Sequence, residues 1–184
     1  MGMAASLYYT ADMVRALPED GNRYETVHGE LLVTPAPRLA HQYVLTNLGL
    51  KIGQYLQVHP VGQLLFSPAD ISWDEDVLVQ PDIFVAAMSE ARTFDWKQVK
   101  TLLLAVEILS PSTERHDRFT KRRVYQEYGV AAYWIVDIKS RLVEVWAPGA
   151  MFPLVEDERV SWRPKDAPEP LVISLQEVLP PVGA

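Results

Sequence analysis

Two carboxylates set into apolar segments are the residues of this chain with the clearest chemical potential. Leu102-Leu103-Leu104-Ala105-Val106-Glu107-Ile108-Leu109 is apolar except for Glu107, and Asp82 opens a second such run directly after Pro81. A buried carboxylate with no partner is costly, so each acid needs a proton, a cation or a metal. Downstream, Ser110-Pro111-Ser112-Thr113 breaks the strand and leads into a charged helical segment that carries Lys121. Two strand-borne acids and a lysine suggest divalent-metal hydrolysis, with oxygen ligands for a hard cation and an ammonium for developing negative charge. A plainer reading of the same residues has Asp82 capping a turn and Glu107 paired with an arginine.

The elements that must position these groups follow from periodicity. Residues 10–17 read as a short helix with Thr10 as N-cap and Pro18 as stop, and residues 23–33 as a hairpin turning at His28-Gly29. Residues 39–58 carry Val44, Leu45, Leu48, Ile52, Tyr55 and Leu56 at helical spacing. Strands are expected at 63–73, 77–79, 82–87, 102–109, 132–137 and 142–146, a helix at 114–128 ended by Gly129, and a loop over 153–170 before a last strand at 171–175. The central order is helix, three strands, helix, strand, and apolar strands flanked by amphipathic helices imply an α/β sheet covered on both faces, at least at its centre.

Alternation along 102–109 puts Leu103, Ala105, Glu107 and Leu109 on one face. On the following helix, Asp117, Lys121, Val124, Tyr125 and Tyr128 form one stripe, so Asp117 and Lys121 lean toward the sheet near Glu107. An intrahelical ion pair between Asp117 and Lys121 is the simpler alternative.

Composition bounds the class. With 184 residues, 48% of them hydrophobic, the chain suits a single domain over residues 1–184. No run approaches a membrane span, and Met1-Gly2-Met3-Ala4-Ala5-Ser6 lacks the parts of a signal peptide, so a soluble cytoplasmic protein with no membrane partner is expected. The absence of cysteine removes disulfides, thiolate zinc sites and cysteine nucleophiles, leaving oxygen or imidazole for any metal. A net charge of -7 argues against a broad nucleic-acid-binding surface, but Arg115, Arg118, Lys121, Arg122 and Arg123 make a local basic cluster. That cluster is either a phosphate-binding patch or a solvated helix face.

Several segments together resemble one known family. Tyr24-Glu25-x-Val27-x-Gly29-Glu30, His41 opening a helix, Pro81-Asp82, Val106-Glu107-Ile108-Leu109-Ser110-Pro111-Ser112-Thr113, Asp117-Arg118-x-x-Lys121 and Tyr125-x-x-Tyr128-Gly129-Val130-x-x-Tyr133-Trp134-Ile135-Val136-Asp137 look like the Uma2 family, formerly a domain of unknown function. That family belongs to the PD-(D/E)XK, or restriction-endonuclease-like, superfamily. The resemblance implies an α+β mixed sheet with an αβββαβ core, an N-terminal hairpin and C-terminal strands, and a Mg²⁺-dependent (or Mn²⁺-dependent) DNA endonuclease. Asp82 and Glu107 would be the metal ligands and, with Lys121, the catalytic set. Glu30 and His41 are possible additional members, and Arg115, Arg118, Arg122 and Arg123 would hold DNA. The superfamily lysine two residues after the glutamate is Leu109 here, and Lys121 is the substitute that the helix stripe offers. Cleavage of two strands suggests a homodimer. A non-catalytic nucleic-acid or protein interaction module on the same fold is the alternative from a different class.

Overall fold

The computed structural model describes residues 7–182, so the reading of Met1 to Ser6 lies outside the described residues. After helix α1 (Ala11–Arg15), strands β1 (Arg23–Val27) and β2 (Glu30–Thr34) form the expected hairpin. Its two-residue turn needs two left-handed residues, and His28 and Gly29 supply them at φ 49° and 80°. Helix α2 (Leu39–Val58) follows, then β3 (Gly62–Phe66), β4 (Ile71–Asp74), β5 (Val77–Val79), β6 (Ile83–Ala87), the short α3 (Met88–Ala91) and β7 (Leu102–Ile108). The chain continues through a π-helical stretch, His116–Lys121, into α4 (Arg122–Glu127), β8 (Tyr133–Asp137), β9 (Leu142–Trp146), β10 (Leu154–Glu156), β11 (Arg159–Trp162), β12 (Leu171–Ser174) and α5 (Leu175–Val178).

A six-stranded sheet in the order β10-β9-β8-β7-β6-β3 forms the centre, antiparallel throughout except for the parallel β7–β8 pair. A parallel pair needs a crossover, and the π-helical stretch with α4 provides it. The core is therefore α2-β3-β6-β7-α4-β8, the αβββαβ order. A second sheet, β2-β1-β5-β4, packs on the α4 side, and the β11–β12 hairpin closes the α2 side. Leu104, Val106, Ile108 and Trp134 pack with Val44, Leu48 and Ile52 of α2. Ala105 and Ile135 pack on the other side with Val124, Tyr125, Val27 and Val79. Burial on both faces explains why β7 and β8 are almost wholly apolar, and why the acid within β7 stands out.

Three expectations are corrected. The run 63–73 is two strands in two different sheets, split at Ser67-Pro68-Ala69-Asp70, and Asp70 accepts hydrogen bonds from Arg15 Nε at 2.6 Å and Nη2 at 2.8 Å. The loop expected over 153–170 contains β10 and β11, whose short apolar stretches gain their order from pairing with β9 and β12. Within β7, a bulge makes Leu103 an extra residue between the pairs Val85–Leu104 and Ala86–Leu102. The bulge turns Leu103 to the α2 side, away from Ala105 and Leu109.

Candidate active site

Glu107 leaves β7 on the face that α4 covers, and Lys121, at the end of the π-helical stretch, meets it there. The Lys121 Nζ lies 3.1 Å from Glu107 Oε1, 2.9 Å from Glu25 Oε2 and 3.3 Å from Asp117 Oδ1. Tyr125 OH donates to the same Glu107 oxygen at 2.8 Å, and the Gln80 amide donates to Glu25 Oε1 at 2.7 Å. Tyr133 OH donates to the Asp117 carbonyl at 2.9 Å, bracing the π-helical turn against β8. One ammonium thus serves three carboxylates. All four charged residues are at most 1% exposed.

The electrostatics follow from that count. Burial pushes Glu107 well above the usual carboxylate range; Lys121 pulls it back, while Asp117, Asp82 and Glu25 push it up again. Asp117 is raised for the same first reason, burial, opposed by Lys121. For Lys121, burial favours the neutral amine, but Glu107, Glu25 and Asp117 outweigh it and hold the ammonium above its ordinary range.

Asp82 is handled differently. Ile83 faces Val106 across the β6–β7 pair, so Asp82 comes beside the end of β7 and its Oδ2 accepts the Ile108 amide at 2.8 Å. Arg23 Nη1 donates to Oδ1 at 2.8 Å, and His41 Nε2, in the first turn of α2, lies 3.0 Å from Oδ2. Burial alone would raise Asp82, but the His41 hydrogen bond, the Arg23 charge and the Ile108 amide together hold it below the ordinary range. Arg23 Nη1 also donates to Ser67 Oγ at 3.0 Å, fixing the guanidinium at the edge of a cavity of about 760 Å³. Asp82, Arg23 and His41 line that cavity, while Glu107 and Lys121 lie behind it.

The structure thus brings Glu107 together with Lys121, and Asp82 with His41. It does not bring Glu30 to them. Glu30 pairs with Val27 at the turn end of the hairpin, exposed, in a separate groove with Arg115, Phe119 and Arg123. The basic cluster also divides. Arg118 donates to Glu144 at 2.8 Å and Asp137 at 3.0 Å and pairs with Glu114, so its part-exposed guanidinium already has three carboxylate partners. Arg122 donates to the Arg118 carbonyl and to Gln126, each at 3.0 Å, and lies 4.5 Å over the Trp146 ring. Arg118 thus ties the helix to β8 and β9, and Arg122 rests on Trp146 of β9. Arg115 and Arg123 have no ion-pair partner among the described residues and stay exposed. Arg23 and Glu25 were the residues that sequence reasoning missed. The signal was the alternation of Arg23, Glu25 and Val27, which puts both charges on the face of a buried valine.

No His, Asp and Glu cluster of three among the described residues is arranged to hold a metal as it stands. The donor chemistry nevertheless suits a hard dication. Glu25 Oε2 and Asp117 Oδ1 are buried with the Lys121 ammonium as their ion-pair partner, so three carboxylates share a single positive charge.

The αβββαβ core, with Asp82 just before β6, Glu107 within β7 and Lys121 beside Glu107, is that of a restriction-endonuclease-like fold. A solved structure from Anabaena variabilis, titled a putative nuclease belonging to DUF820, superposes with a TM-score of 0.76 at 20% identity, covering 92% of this chain and 97% of that one. No curated protein matches. The family described as "Uma2: Putative restriction endonuclease" matches residues 11–180, and the chain belongs to that family.

Proposed function

We propose that this protein is a Mg²⁺-dependent endonuclease that hydrolyses phosphodiester bonds in DNA, with Asp82 and Glu107 as metal ligands. The observation that carries this reading is the 3.1 Å approach of Lys121 to Glu107. Leu109 occupies the usual lysine position, yet an ammonium reaches the same acid from the next helix. A bound dication would supply Lewis-acid charge to the phosphate and activate water, and Mn²⁺ would serve as a substitute. Binding would require Asp82 to exchange its contacts with Arg23 and His41. Lys121 keeps its proton and offers positive charge where negative charge develops on the phosphate. Tyr125 and Lys121 orient Glu107, while Arg23 and His41 orient Asp82. Exposed Arg115 and Arg123, in the groove beside Glu30, are the candidates for phosphate contact outside the cavity. We read residues 1–184 as one unit acting in the cytoplasm, and as a homodimer where both strands are cut.

The test is plasmid cleavage with Mg²⁺ or Mn²⁺. Lys121→Ala is expected to lower the rate by about 10²-fold or more while metal affinity, read by calorimetry, is largely kept. Adding Leu109→Lys should recover part of that rate. If Glu107→Ala binds metal as the parent does, the metal assignment fails. The burial of every candidate catalytic group favours one second reading, a non-catalytic interaction module; absence of cleavage with intact DNA binding would establish it.

A further inference from the structure

Of the two candidate acids, Asp82 lines a cavity and Glu107 lies buried behind it, and this bears on the form of DNA that reaches them. Asp82, Glu107 and Lys121 are 2%, 1% and 1% exposed. The approach to Asp82 is the cavity of about 760 Å³, formed where the loops after β2, β3 and β7 converge on the first turn of α2. Pro35, Pro37, Pro68 and Pro111 give it apolar walls. Arg23, His41 and Asp82 make its polar floor, and Ser110 and Ser112 add hydroxyls. Arg38, also on the lining, has no ion-pair partner among the described residues.

A cavity of this size is of the kind that encloses a small ligand. It has room for a nucleotide or two and none for a base-paired helix. A nucleotide inside a duplex is stacked above and below and paired across, so its phosphate cannot descend to a buried carboxylate until the base leaves the stack. An unpaired nucleotide has no such obstacle. Its base has apolar proline rings to lie against, and its flanking phosphate has Arg38 at the wall.

Building on the nuclease reading, we propose that the cavity takes an unpaired nucleotide, so that the substrate is single-stranded DNA or a single-stranded overhang. The interior of an intact duplex is excluded.

The test uses the full chain and one labelled sequence in three forms: single strand, duplex with an overhang, and blunt duplex. Binding is read by fluorescence anisotropy in the absence of divalent metal, and cleavage is read separately with Mg²⁺ or Mn²⁺. Single strand and overhang should bind at least tenfold more tightly than blunt duplex, and cuts should fall in the unpaired part. Ala36→Trp, which fills the cavity from an exposed loop position, should remove the preference. Arg38→Glu should weaken single-strand binding about tenfold. Equal binding of all three forms, or cuts inside the blunt duplex, overturns the inference and leaves the nuclease reading standing. Preferential single-strand binding that Ala36→Trp abolishes, without cleavage of any form, upholds the cavity assignment and removes the nuclease reading. A preference that persists in Ala36→Trp overturns the cavity assignment.

Discussion

Lys121 is the residue on which the buried charges depend. Removing one partner of a buried ion pair leaves an uncompensated charge, typically at a cost of 3–5 kcal/mol, and here three acids share the partner. Lys121→Met should therefore lower unfolding free energy by about 3–5 kcal/mol, measured by urea denaturation at neutral pH. The pH dependence has a definite sign. Glu107 is raised above its ordinary value of 4.5, so above that pH the folded protein holds a proton that the unfolded chain releases. Its effect is to make the metal-free protein lose stability as pH rises from that value toward the raised one. Asp82 acts oppositely: its depressed value contributes stability above its ordinary 3.8, which is lost as pH falls. Urea midpoints at pH 5 and pH 8 should show the metal-free protein weaker at pH 8, and Glu107→Gln should narrow that gap. The pairing of Glu107 with Lys121 was legible because strand alternation and a helix stripe pointed at one another. Arg23 and Glu25 were not, since β1 reaches the site only through docking of a second sheet, with Asp82 59 residues from Arg23.

At the scale of elements, the segment 114–128 shows what pattern reading resolves. Asp117, Lys121 and Tyr125 are four apart, and side chains at that spacing stay on one face whether the backbone winds as α or π. The burial of Asp117 and Lys121 was therefore readable, and the π-helical winding was not. The arginines next to them divide by what the neighbouring strands offer. Arg118 ties the π-helical stretch to β8 and β9 through Asp137 and Glu144. Arg118→Ala should cost about 1–3 kcal/mol of stability and leave the salt dependence of DNA binding unchanged. Arg115→Ala and Arg123→Ala should do the reverse, each reducing the salt slope by about one with little effect on stability. Sequence alone could not divide the cluster, because the partners of Arg118 lie on later strands.

At the scale of the whole molecule, the αβββαβ order was readable because α2 carries a helical stripe and β6, β7 and β8 are continuous apolar runs, whereas β10 and β11 are short and set among charged residues. The sum of buried charges is a property at this scale too, and it predicts a response to metal. A dication that binds only the folded form stabilises it by about 2.7 kcal/mol at a hundredfold excess over its Kd. Mg²⁺ or Mn²⁺ should raise the melting temperature of the parent, and the shift should be absent from Glu107→Ala.

The hairpin that carries Arg23 and Glu25 bears on how the protein is made. Both residues leave the ribosome well before their partners Asp82 and Lys121. An unfinished chain therefore holds the hairpin without its acids and lysine. A fragment cut within the loop after β2 retains β7 and α4, yet leaves Lys121 without Glu25 and Asp82 without Arg23. The buried charge cluster is thus complete only once the last tertiary contact forms, and neither a nascent chain nor a clipped one carries it whole.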